Sequence, residues 1–236
     1  MSEKIDNNKI VIFTGAGVSA ESGLQTFRGS GGLWNNYHIN DVATPAGWRN
    51  DPEMVLEFYN ERRREASNAE PNDAHKAIAR LEDKFEVIVI TQNIDDLHER
   101  AGSSHVIHVH GELCKVRSTL DEALIYKING DPVKMGDTCE KGSQLRPHIV
   151  WFGENIHHYE ISRKHIKTAG KVLVIGTSLS VYPAADILKK SRYHAEKIII
   201  SLDIEKKPFG YKWLRGKAVG VVPHVVDLWL GSRRVV

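Results

Sequence analysis

Cysteine is nearly missing from this chain: Cys114 and Cys139 are the two among 236 residues. That is too few for the disulfide framework of a small exported domain, and it suits a reducing compartment. Long apolar runs are missing as well, since no segment approaches the roughly 18 consecutive apolar residues of a membrane-spanning helix. The opening stretch MSEKIDNNK is polar rather than signal-like, so neither export nor membrane insertion is expected and the cytoplasm is the default. An excess of one charge is also lacking. The 32 basic and 30 acidic residues leave a net charge of +2, spread along the whole length, which points to neither nucleic acid nor a membrane surface as partner. The densest basic run, Arg62 to Arg64, has the spacing of a solvated helix face. There is no internal repeat and no low-complexity tract.

A sizeable core is available, with 41% of residues hydrophobic, enough for one large domain or a main domain with an insertion. Runs rich in Val and Ile recur at 9–13, 87–91, 106–110, 172–176, 197–202 and 218–222, and they predict buried parallel strands. Helical patterns fall between them, at Pro52 to Arg64, Asp73 to Lys84, Asp95 to Ala101, Tyr159 to Ala169 and Pro183 to His194. The alternation predicts an α/β fold, a doubly wound, Rossmann-like parallel sheet with ligands at the C-terminal strand ends. Two stretches break it. Residues 33–72 carry helices without a strand, and 113–146 are irregular, with Gly130, Pro132 and Gly136. The sheet domain is therefore expected over 1–32, 73–112 and 147–236, with the two insertions forming a smaller module.

The stretch TGAGVSAESGLQTFRG, Thr14 to Gly29, follows the first strand. Gly15 and Gly17 allow a tight turn close to a pyrophosphate, and the hydroxyls of Ser19 and Ser22 can donate beside it. The same turn would serve any strand-to-helix connection, and it nearly satisfies a dehydrogenase fingerprint. That fingerprint needs a second strand ending in an acid about 20 residues on, and GSGGLWNNYHINDVAT, which follows, holds no convincing one. Other strand ends carry Gln92, Asn93, Asp95 and Asp96; His110 and Gly111; Gly176, Thr177 and Ser178; and Asp203. A core requests none of these, and in one sheet they would converge on one crevice.

Five blocks in order, GAGVSAESG with TFRG, TQNIDDLH, HVHGEL, LRPHIVWFGE and GTSLSVYPAA, give the chain a resemblance to the sirtuins, NAD-dependent protein-lysine deacylases, over nearly its whole length. The resemblance implies NAD consumed as a co-substrate. Its phosphates and ribose would be wrapped by Gly15, Ala16, Gly17, Ser19, Ala20, Ser22, Gly23, Thr26, Phe27, Arg28 and Trp34. Phe27 and Arg28 would shield the reacting sugar from water. Gln92, Asn93, Ile94 and Asp95 would form the nicotinamide pocket, Asp95 orienting the carboxamide and Asn93 holding a water or the ribose hydroxyls. Gly176, Thr177, Ser178, Asp203, Ile204, Glu205 and Ala218 would complete the cofactor site, Asp203 standing where many relatives have asparagine. His110 resembles the general base that activates a ribose hydroxyl once the acyl oxygen has displaced nicotinamide. Val150, Phe152, Gly153 and Glu154 would receive an acylated protein lysine, its peptide adding as a strand.

Tyr59 and Arg62 stand three residues apart on one helical face, as in the sirtuins that remove acidic acyl groups. A guanidinium fork matches a carboxylate, and Ala43 leaves room for a longer chain, so succinyl, malonyl or glutaryl would be preferred over acetyl. One departure stands out. The family's small module holds zinc through two Cys-x-x-Cys pairs, whereas here Ser118 and Asp121 replace the first pair and Cys139 stands alone, so no zinc is expected. The alternatives are an NAD-binding sensor, opposed by the presence of His110, Asn93 and Asp95, and an ADP-ribosyltransferase, which would use the same cofactor cleavage with a different acceptor.

Overall fold

The computed structural model describes residues 4–26, the backbone of 33 and 34, and residues 37–128, 130–204 and 206–231. In chain order the elements are β1 (Asp6–Thr14), β2 (Leu33–Trp34), β3 (Tyr37–His38), α1 (Ile39–Val42), α2 (Pro45–Asn50), α3 (Pro52–Asn68), α4 (Asp73–Arg80), β4 (Glu86–Thr91), α5 (Leu97–Arg100), β5 (Val106–His108), β6 (Gly111–Ser118), β7 (Ile125–Lys127), β8 (Leu145–Ile149), α6 (Tyr159–Thr168), β9 (Ala169–Ile175), β10 (Glu196–Ser201), β11 (Lys212–Arg215) and α7 (Ala218–Leu230). Among the described residues no helix is long and apolar enough to cross a membrane.

Six strands form one parallel sheet in the order β11-β10-β9-β1-β4-β5. The strand alternation splits the core cleanly between its two faces. Ile10, Ile12, Val87, Val89, Leu173 and Ile175 meet α4 and α7 on one face. Val11, Phe13, Ile88, Ile90, Val172 and Val174 meet the α6 side on the other. The chain leaves β1 toward β4 and later returns on its other side at β9, so the direction of winding reverses between β1 and β9. In open α/β sheets that reversal is where a crevice opens at the carboxyl ends.

Three expectations need correction. Residues 218–222 are the start of α7, and the sixth strand is Lys212–Arg215, pairing with β10. The buried positions Ala218, Val222, Val225, Val226 and Trp229 follow helical spacing, a period that a five-residue β-branched window hides. Residues 113–146 are not simply irregular: β6, β7 and β8 make an antiparallel sheet in the order β7-β6-β8. Residues 33–72 do contain strands, the short pair β2 and β3. The helices after that pair pack on the small sheet, where Val42, Val55, Phe58 and Tyr59 join Leu113, Ile149 and Trp151 in one cluster.

Candidate functional site

A cavity of about 580 Å³ opens at the carboxyl ends of β1, β4, β9 and β10 and runs toward α3 and the segment after β8. At the sheet end, the turn after β1 is stitched to the end of β9. The Gly15 amide donates to the Ile175 carbonyl at 3.0 Å, and the Gly17 amide to Gly176 at 2.8 Å. A Cβ on Gly17 would stand 2.7 Å from the Gly176 Cα, so glycine is required here by main chain packed on main chain. Both amides are committed within the fold. Two 3-10 turns, Ala16–Val18 and Ala20–Ser22, follow instead of a helix.

Beneath this wall lies a buried polar cluster. The Ser19 hydroxyl donates to Asp95 Oδ2 at 3.2 Å and accepts from Asn93 Nδ2 at 3.1 Å, and His75 Nε2 lies 3.4 Å away. The Asn72 amide donates to His75 Nδ1, which leaves the proton of the neutral ring on Nε2, aimed at Ser19. Burial holds the His75 pKa down to about 4 and that of His98 far below the usual range. His98 Nε2 meets Thr14 Oγ1 at 3.1 Å, and Thr14 bonds to Thr91. Burial pushes the Asp95 carboxyl up, against its bonds from Leu97 N and Ser19. Ser19 thus ties Asn93 to Asp95.

His110 lines the cavity where the two sheets meet. Its Nδ1 lies 3.0 Å from the Gln92 carbonyl, which can only accept, so the neutral ring carries its proton on Nδ1 and its lone pair on Nε2. Burial lowers its pKa, the Gln92 bond opposes, and the charge of His157 lowers it further. The next residue, Gly111, has φ +86°, and a Cβ there would stand 2.0 Å from the His148 carbonyl oxygen, so β6 can begin only at glycine. On the other side of the QNID loop, His108 Nδ1 lies 2.9 Å from the Asn93 carbonyl and Nε2 2.8 Å from Glu99 Oε1.

At the far end, α3 presents Tyr59, Arg62, Glu65 and Ala66 to the cavity. Asp51 caps α3 by accepting from the Met54 amide, and Pro52 takes its first turn. Tyr59 is wholly buried, and its hydroxyl accepts from Trp151 Nε1 at 3.1 Å. Arg62 is 6% exposed and bonds to Glu65 at 2.7 Å, while its Nε and Nη1 are buried with no hydrogen-bond partner among the described residues. Ala43 and Val150 to Glu154 close the wall. Glu154 turns its carboxylate inward, accepting from Arg146 at 2.7 and 3.1 Å, from Arg117 at 3.2 and 3.3 Å and from the Trp151 amide at 2.9 Å.

Of the sequence-stated residues, Gly15, Ala16, Gly17, Ser19, Ala20, Thr26, Gln92 to Asp95, His110, Gly176 to Ser178, Asp203, Ala218, Ala43, Tyr59, Arg62 and Val150, Phe152, Gly153 and Glu154 line this one cavity. Ser22, Gly23 and Ile204 do not: the Ser22 Oγ accepts from Asn72, and Ile204 is buried in the core. Phe27, Arg28, Glu205 and the Trp34 side chain lie outside the described residues. The sequence reading missed Glu65, Trp151 and the opposite rim, Val181, Tyr182 and Pro183. Glu65 was legible as one turn from Arg62; Trp151 hid inside an apolar strand end.

The positions that hold zinc in the sirtuins do not fit it here. Ser118 Oγ accepts from the Leu120 and Asp121 amides and from Cys139 Sγ, and Asp121 pairs with Lys141 at 2.7 Å. One thiol, a hydroxyl and an already paired carboxylate make no tetrahedral thiolate site.

A doubly wound sheet with a cavity at its switch point, walled on one side by an inserted module, defines a nucleotide-binding α/β protein. The chain belongs to the Sir2 family, whose model matches residues 15–183. It is 48% identical over 198 residues to an NAD-dependent protein deacylase of Helicobacter pylori, covering 84% of this chain and 85% of that one. A Sir2 homologue variant solved with ADP-ribose superposes with a TM-score of 0.87 at 38% identity, covering 98% and 96% of the two chains. A Sir2–p53 peptide–NAD+ complex gives 0.77 at 29% identity, covering 97% and 95%.

Proposed function

We propose that this chain is an NAD-dependent protein-lysine deacylase that prefers acidic acyl groups, succinyl, malonyl or glutaryl, to acetyl, and that NAD is consumed to give nicotinamide, O-acyl-ADP-ribose and free lysine. The observation that carries the acyl preference is Arg62, a cation buried in the cavity wall with Nε and Nη1 unpartnered. Leaving two donors of a buried guanidinium without partners is costly, and a carboxylate on the acyl chain would supply them. Tyr59, whose oxygen already accepts from Trp151, retains its proton to donate to the same group.

The bond from the His110 Nδ1–H to the Gln92 carbonyl turns the Nε2 lone pair into the cavity, and burial keeps the ring neutral near pH 7; both suit a general base toward a ribose hydroxyl. Asn93 and Asp95, fixed by Ser19, would hold the nicotinamide end. The peptide would enter between Val150–Glu154 and Val181–Pro183. The amides of Val150, Trp151, Phe152 and Glu154 are engaged within the chain, so an added strand would pair through the Gly153 amide and the carbonyls. We assign 33–72 and 113–146 to the acyl-side module and the remainder to the NAD side.

The test pairs succinyl- and acetyl-lysine peptides of one sequence, with nicotinamide release and acceptor followed by mass spectrometry. Arg62→Met is expected to lower kcat/KM on the succinyl peptide by about 100-fold, as loss of a charge-assisted pair implies, and on acetyl far less. Equal losses would remove the acidic-acyl preference, and ADP-ribose found on protein would redirect the activity to ADP-ribosyl transfer.

A further inference from the structure

The acyl end of the cavity contains a carboxylate of its own. Glu65 follows Arg62 by one turn of α3, lines the cavity and places Oε1 2.7 Å from Arg62 Nη2. The other acid near this guanidinium, Glu61, stands at 3.7 Å. The Arg62 side chain is 6% exposed and that of Glu65 45%, so the cation is fixed in the wall while the anion reaches it from the solvent side. The Phe58 ring lies 5.3 Å from the guanidinium carbon and fills one side.

We propose that Glu65 is a specificity-determining residue: a resident carboxylate that shares Arg62 with an acidic acyl group and stands in for it when the acyl group is neutral. This rests on Arg62 being the acyl-carboxylate contact. An arriving succinyl group brings a second carboxylate to one guanidinium, and like charges at that separation oppose each other. Part of the attraction of Arg62 for the acid is thereby cancelled, or Glu65 swings into water and its own pairing is lost. When acetyl-lysine binds, Glu65 stays paired and lowers the cost of setting a methyl group against a buried cation. The balance between acidic and neutral acyl groups is therefore set by Glu65, on a cation that itself does not change.

Glu65→Gln keeps the length and shape and removes the charge. Steady-state kinetics on the paired peptides should show kcat/KM for succinyl-lysine rising about threefold and that for acetyl-lysine falling about twofold, the scale of a half-exposed ion pair. A ratio that stays level or drops in Glu65→Gln, with Arg62→Met still selective against succinyl, would show that Glu65 merely props Arg62 and would overturn the proposal. Arg62→Met lowering both substrates equally would overturn the acyl preference beneath it. Thermal melts of both variants establish that the comparison is between folded proteins.

Discussion

The two ends of the cavity are built by different means. At the sheet end the walls are main chain and short polar side chains, the Gly15–Gly17 turn stitched to Gly176 above Ser19, Asn93 and Asp95, with uncharged His75 and His98 beneath. At the acyl end they are long side chains, Tyr59, Trp151 and an Arg62 that keeps donors unmet. The first end follows from topology, because a switch point between β1 and β9 opens a crevice wherever glycines let the two turns touch. The second depends on a few positions of one helix that can change without moving the sheet. On the proposed function, bond-making chemistry would be carried by the frame, and selectivity by side chains laid against it.

The largest expected break comes at His110, which belongs to the frame. His110→Ala should lower kcat/KM by about 10²–10⁴-fold on succinyl and acetyl peptides alike, the usual contribution of a general base, with NAD binding by calorimetry largely kept. A loss confined to one acyl group would place His110 on the selectivity side instead. Burial lowers its pKa, and a base must be unprotonated, so the acid limb of kcat/KM against pH should fall below the ordinary histidine value of about 6.5.

Acid should separate the two ends next. His75 is held down to about 4 in the fold, below its unfolded value of about 6.5. Its contribution is complete above the unfolded value and is lost as pH falls toward the folded one, up to about 3 kcal/mol. The carboxylate of Glu154, at the acyl end, is also held low, by Arg146 first and then the Trp151 amide and Arg117 against the effect of burial, so its contribution persists until the ordinary glutamate range near pH 4.5 and is lost below it. Burial also lowers His148 of β8 to about 4, so urea unfolding in pH steps should show stability falling between pH 6.5 and 5, and the share of the slope that His75→Gln removes belongs to the sheet end. A slope unchanged in His75→Gln would mean that the sheet-end cluster does not depend on its neutral imidazole.

Much of the sheet end was legible because its signals are local. Apolar runs gave β1, β4, β9 and β10, and polar residues after them marked the crevice. Failures arose where a longer period or a partner distant in sequence decided the outcome. Residues 218–222 carry β-branched side chains whose helical pattern emerges only over 218–229, and β11 is a short edge strand bounded by charge. The glycines after β1 suggested phosphate contact, but their spacing could not reveal that Gly176, far along the chain, needs the same space. The clasp of Glu154 on Arg117 and Arg146 likewise joins β6 to β8, a pairing that no local window displays. Tyr59 and Arg62 were picked out by the resemblance to sirtuins that remove acidic acyl groups and placed on one face by helical spacing, whereas the burial that leaves Arg62 donors unmet belongs to the tertiary structure.

The smallest expected effect lies at the join between the two ends, where His108 holds the QNID loop. Both ring nitrogens face oxygens that only accept, the Asn93 carbonyl and the Glu99 carboxylate, so the doubly protonated ring is the form that satisfies both. Burial lowers its pKa, but Glu99, the Asn93 carbonyl and Glu112 raise it above the usual value, while Asp95 and His98 are its other titratable neighbours. With the folded pKa raised, the stabilisation is complete below the unfolded value near 6.5 and is lost as pH rises through the folded one. Glu99 is 40% exposed, so removing its charge in Glu99→Gln should cost only about 0.5–1 kcal/mol. The loss should appear as a higher KM for NAD and as an alkaline limb moved toward neutral pH, because what loosens is the Asn93 carbonyl. Succinyl and acetyl peptides should suffer equally. If Glu99→Gln changed their ratio, the boundary between frame and selectivity would not lie at Asn93, and the acyl pocket would have to extend through β5 into the sheet.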